Sequence, residues 1–140
     1  MKKTNTAIND LNLAVVLHTS SFAELTLEPG KSLIISTWKE NSKKLLEHGV
    51  KNEIHRLLDF ILVHHVRKVI VDVRHYAFKD NSRIQQWINL YYVPRLMTSS
   101  VEKYAFVVAS NPVDTTGEDP DIRPQVEYFV SLEEARAWTN

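Results

Sequence analysis

From Ala23 to Glu28 apolar and polar positions alternate, with Ala23, Leu25 and Leu27 set against Glu24, Thr26 and Glu28. A period of two puts each set on its own face of a pleated strand, which predicts a half-buried strand. Pro29-Gly30-Lys31 is a turn signal, and Leu33 to Trp38 completes a hairpin. The period then changes. Leu46, Val50, Ile54, Leu57, Leu58, Ile61 and Leu62 recur at three- and four-residue spacing. That stripe predicts a helix from Ser42 to about His65, with Asn41 and Ser42 as caps. Gly49 lies inside it and predicts a later start or a bend. Next comes Val69-Ile70-Val71-Asp72-Val73, an apolar run interrupted by one acid. It reads as a strand buried on both faces, as in a parallel or mixed sheet covered by helices.

Ser82 has N-cap chemistry, and Ile84, Trp87, Ile88 and Tyr91 form the following helical face, with Pro94 near its end. Tyr104 to Ala109 is expected to be a central strand. Residues 111–124 hold three prolines and four acids, the pattern of a long loop. Val126 to Val130 is the last expected strand. Ser131 caps a terminal helix with Glu133 and Glu134 in its first turn, docked by Ala135 and Trp138. The expected fold is α/β: one domain with a mixed sheet of four or five strands packed with helices. Residues 1–20 form an N-terminal arm or short strand, Leu13 to Leu17 being its apolar part, and residues 21–140 form the domain.

At 140 residues the chain is long enough for a real core. Lys+Arg and Asp+Glu balance at 17 each, which argues against a nucleic-acid partner, since such a partner needs a basic face. Zero net charge also removes a barrier to self-association. There is no cysteine, so disulfides and thiolate chemistry are excluded. No apolar run approaches the roughly 20 residues of a membrane span. Lys2 and Lys3 ahead of a short apolar stretch make a poor leader because Thr4 to Asp10 is mostly polar, so a cytoplasmic location is expected.

The six histidines show no H-E-x-x-H spacing and no compact cluster with carboxylates, and no metal or other cofactor is expected. His55 and Asp59, four apart, suit a surface pair. With only Gly30, Gly49 and Gly117 there is no phosphate-binding loop and no dinucleotide fingerprint; no G-x-S-x-G is present either. Asp72 must be paired if buried, and Arg74, two residues on and on the same face, is a partner within reach. Arg74 alternatively stands at a strand end, where an anion would meet it. Ser82 fits an N-cap better than a phosphoacceptor. Trp87, Tyr91 and Tyr92 crowd one helix and are not all expected to face inward, which makes an exposed aromatic interface credible.

Taken together, Leu33-Ile34-Ile35-Ser36-Thr37-Trp38, Val69 to Arg74, Ile84-Gln85-Gln86-Trp87, Ala105-Phe106-Val107-Val108 and the ending Tyr128 to Trp138 resemble the SpoIIAA-like, or STAS/Sec14-type, small bacterial domains over roughly residues 20–140. The resemblance implies a non-enzymatic α/β domain used in binding or regulation. In the anti-anti-sigma branch a phosphoacceptor follows an aspartate just before a helix. The matching segment is Asp80-Asn81-Ser82, where the position after the aspartate is Asn81, which has no hydroxyl.

The leading expectation is a non-catalytic regulatory module that docks a protein partner, or itself, through Arg74, Asp80, Asn81, Ser82, Trp87 and Tyr91. The alternative is a small-molecule or lipid-binding domain with an apolar pocket at the strand carboxyl ends. A ligand-sized apolar pocket with convergent polar groups would favour the second.

Overall fold

The computed structural model describes residues 13–78, 81–110 and 123–140. Asp80 and most of the 111–124 segment therefore lie outside the described residues. Six strands form one mixed sheet in the order of the chain: β1 (Val15–Thr19), β2 (Ala23–Glu28), β3 (Leu33–Trp38), β4 (Lys68–Asp72), β5 (Lys103–Val107) and β6 (Gln125–Phe129). β1, β2 and β3 are antiparallel, and β3 to β6 run parallel. The count exceeds the expected four or five because the N-terminal stretch pairs with β2 as an edge strand. Its register shifts between Val16 and His18, and Val15 and Val16 are exposed, so the apolar pattern there is weak.

Helix α1 (Glu47–His64) links β3 to β4. A continuous helical rod links β4 to β5. It comprises α2 (Ser82–Trp87), a π-helical segment (Ile88–Tyr92) and α3 (Val93–Met97). Pro94 has no N–H to offer the Leu90 carbonyl, and the π segment sits just before it, where the ladder must be rearranged. The rod thus passes Pro94 and ends at Met97. Helix α4 (Leu132–Thr139) closes the chain; the Ser131 hydroxyl caps it by accepting from the Glu134 amide at 3.2 Å, as expected. Among the described residues no helix is long and apolar enough to cross a membrane.

The sheet is covered on both faces. Ile34, Val69, Val71 and Tyr104 share one core with Val50, Leu57, Leu58 and Ile61 of α1 and with Ile84, Tyr92 and Leu96 of the rod. Leu33, Ile35, Ile70, Ala105 and Val107 share the other with Ala135 of α4. Alternate residues of β3, β4 and β5 therefore serve opposite cores, which explains their unbroken apolar runs.

The helix expected from Ser42 begins at Glu47. Ser42 is not a cap: it lies fully buried in a 3-10 turn (Glu40–Lys44), where its hydroxyl accepts from the Ala77 amide at 2.9 Å. Leu46, counted in the apolar stripe, precedes the helix and is 67% exposed. Asn81, not Ser82, precedes the first residue of α2.

Candidate functional site

A cavity of about 470 Å³ lies between the sheet and the helices on the α1 face. Strands β3 to β6 supply its floor, including Trp38, Val71, Phe106 and Tyr128. The parallel register sets Val71 beside Phe106 and Phe106 beside Tyr128, so the floor continues across three strands. The two aromatic rings stack at 5.1 Å. Leu57 and Ile54 of α1 form one wall, and Ile84, Ile88 and Leu96 of the rod form the other. Val73, Tyr76 and Val108 line it near the carboxyl ends of β4 and β5.

Several polar groups break this apolar surface, and most are already bonded. The Tyr92 and Tyr104 hydroxyls share a buried hydrogen bond of 2.9 Å. Burial pushes both phenols up, and in Tyr92 the neighbouring Tyr104 adds to the shift. The Tyr76 hydroxyl donates to Asn81 Oδ1 at 2.7 Å, and burial pushes that phenol up to about 12. The Tyr76 ring also meets the Trp38 ring edge-on at 4.9 Å. Glu53 of α1 differs: it is 9% exposed, lines the cavity, and its Oε2 has no hydrogen-bond partner. His18 Nε2, from β1, lies 3.7 Å from that oxygen and is likewise buried without a partner.

Of the described residues expected to form the docking surface (Arg74, Asn81, Ser82, Trp87 and Tyr91), Asn81 lines this cavity. Its side chain also donates to the Phe78 carbonyl at 3.0 Å, tying the β4–α2 connection together. Arg74 is bound to Asp72 by Nε–Oδ1 and Nη2–Oδ2 contacts of 3.0 and 2.7 Å. Ser82 opens α2 on the exposed side. Trp87 and Tyr91 are half-buried and stacked at 5.1 Å on the flank of the rod that meets α1. There Tyr91 shares a 2.8 Å hydrogen bond with His55, and the Arg95 guanidinium lies 3.7 Å from the Tyr91 ring centre. His55 also pairs with Asp59 at 3.3 Å. Tyr92 is buried, so the three aromatics do divide between inside and flank. Among the described residues no group of three His, Asp or Glu side chains could hold a metal.

Glu53 is not among the residues singled out in the sequence, and a pocket was expected only by place, at the strand carboxyl ends. One signal was available for Glu53: it stands three residues after Val50 and four before Leu57, a carboxylate on the buried stripe. His18 carried no such mark, since its partner is 35 positions away. No family model, curated protein or solved structure matches this chain.

Proposed function

We propose that this chain is a non-catalytic α/β binding domain that holds a small apolar molecule between its sheet and its helices. The observation that carries the reading is the apolar cavity of about 470 Å³. Ligand pockets run from roughly 300 to 1,000 Å³ and combine apolar walls with a few placed polar groups. The finer fold assignment, a SpoIIAA-like (STAS-like) domain of the cytoplasm, belongs to the same reading. It is supported by the parallel β3–β6 run with helical connections and the terminal helix after Ser131.

A protein-docking module is the second reading. Its support lies less in Arg74 and Tyr91, which are engaged within the chain, than in Leu90 and Met97. These are 74% and 56% exposed on the rod, and exposed apolar side chains suit an interface.

Native mass spectrometry of the protein from its own host, followed by titration of the stripped protein with N-phenyl-1-naphthylamine, tests the first reading. A retained small molecule, or saturable uptake of the probe, is the expected result. A bare chain that also refuses the probe would overturn it, and a dimer or co-purified protein would then favour the second.

A further inference from the structure

Aromatic rings are concentrated in the lining of the cavity. Six of its twenty described lining residues carry one, against 9% aromatic residues in the whole chain. Four of the rings make an unbroken row of contacts from the rod onto the sheet: Tyr92 to Tyr104 at 6.4 Å, Tyr104 to Phe106 at 5.2 Å and Phe106 to Tyr128 at 5.1 Å. The row has a backing and a face. Tyr92 and Tyr104 are 4% and 5% exposed and bond to each other through their hydroxyls. Phe106 and Tyr128 are only half-buried and keep accessible surface. Phe106 stands on the cavity side of the sheet, because Ala105 and Val107, its neighbours along β5, belong to the opposite core. The walls that meet this row, Ile54 and Leu57 of α1 with Ile88 and Leu96 of the rod, are aliphatic.

We infer that Phe106, with Tyr128 stacked beside it, is the specificity-determining group of this cavity and selects a flat aromatic molecule over a saturated one of the same carbon skeleton. This selection rests on the cavity being a ligand site, as proposed above. A π system has a negative face and a positive edge, so rings gain from offset or edge-on contact with other rings beyond the area they bury. A saturated ring system gains the burial alone. The aliphatic walls attract either body by dispersion and do not tell them apart. The hydroxyls of Tyr76 and Tyr92 are bonded to Asn81 and Tyr104 within the chain, so they are not offered to a ligand head. Discrimination therefore falls to the ring surfaces.

The test is calorimetric titration of the full chain with 2-naphthol and with decahydro-2-naphthol, which share a skeleton and a hydroxyl and differ in aromaticity. The wild-type protein should bind 2-naphthol about three- to tenfold more tightly. Burial alone favours the larger saturated alcohol, so the ranking separates the two effects. Phe106→Leu keeps an apolar side chain and removes the ring. It should lose most of the advantage by weakening 2-naphthol, with the saturated alcohol held within about twofold. Tyr128→Leu, in the outer strand, carries the same comparison should the first variant fail to fold. Equal binding of the two alcohols by the wild-type protein, tighter binding of the saturated one, or an advantage kept in folded Phe106→Leu overturns the selection and leaves the cavity reading standing. Binding of neither alcohol also overturns it, and uptake of N-phenyl-1-naphthylamine then decides whether the cavity reading falls with it.

Discussion

Arg74 folds back onto Asp72, its side chain gripping both carboxylate oxygens while its own backbone amide donates to Oδ1 at 3.1 Å. Asp72 is buried at 7% side-chain exposure, and Arg74 lies at the rim at 36%. Burial by itself would raise the Asp72 carboxyl; the Arg74 side-chain and backbone hydrogen bonds, with its charge, outweigh burial and hold the group below the usual range. Arg74→Ala should therefore destabilise the fold by about 2 kcal/mol, a value reduced by the exposure of the arginine. A depressed folded-state value means the pair stabilises the fold above the ordinary aspartate value of about 4, and that this is lost as pH falls through the lower, folded-state value. Urea unfolding of both proteins across this range should show the gap narrowing on acidification. A gap independent of pH would mean that Arg74 acts through packing alone.

The Tyr92–Tyr104 hydroxyl pair gives a test of a different kind. Tyr92→Phe leaves the buried Tyr104 hydroxyl without its partner and should cost about 1–2 kcal/mol. Tyr92→Phe with Tyr104→Phe removes both polar groups and should cost less than the two single changes added together. Strict additivity in chemical denaturation would show that the two hydroxyls do not depend on each other.

Glu53 should lower the stability of the empty protein. Its Oε2 is buried without a hydrogen bond, His18 Nε2 lying 3.7 Å away, and replacing such a carboxylate by an apolar side chain removes a desolvation cost, so Glu53→Leu should raise stability by about 1 kcal/mol. Thermal unfolding measures it. A large loss of stability would assign Glu53 to a structural contact with His18.

What the sequence disclosed follows from what each segment does. β2 and β3 were legible to the residue, because β2 alternates cleanly and a turn signal separates it from the apolar run of β3. β1 was half-legible: at the sheet edge Val15 and Val16 are exposed, and the bulge before His18 breaks the alternation. The start of α1 was misplaced because Ser42, which has the chemistry of a cap, is instead consumed by the Ala77 amide, 35 positions on. Gly49 belongs to the first turn of α1, where a Cβ would come within 2.8 Å of Leu45 Cδ2, so the glycine leaves room for the end of that side chain at a position that propensity alone counts against a helix. Asp72 and Arg74 are close in sequence, and their pairing was foreseeable from the strand period. A pocket at the strand carboxyl ends was one expectation, but the lining and volume of the cavity were not foreseeable. It is the space left between α1, the rod and four strands, and local periodicity carries no information about such a volume.

The most direct measurement is a fluorescence titration of N-phenyl-1-naphthylamine into the wild-type protein and into Ile88→Trp. Ile88 is half-buried on the cavity wall, so the larger ring fills the space with limited strain on the core. Saturable, single-site binding to the wild-type protein and its loss in Ile88→Trp are expected, with an unchanged far-ultraviolet dichroism spectrum. No saturable binding to the wild-type protein, or equal binding to a folded variant, would contradict the cavity reading.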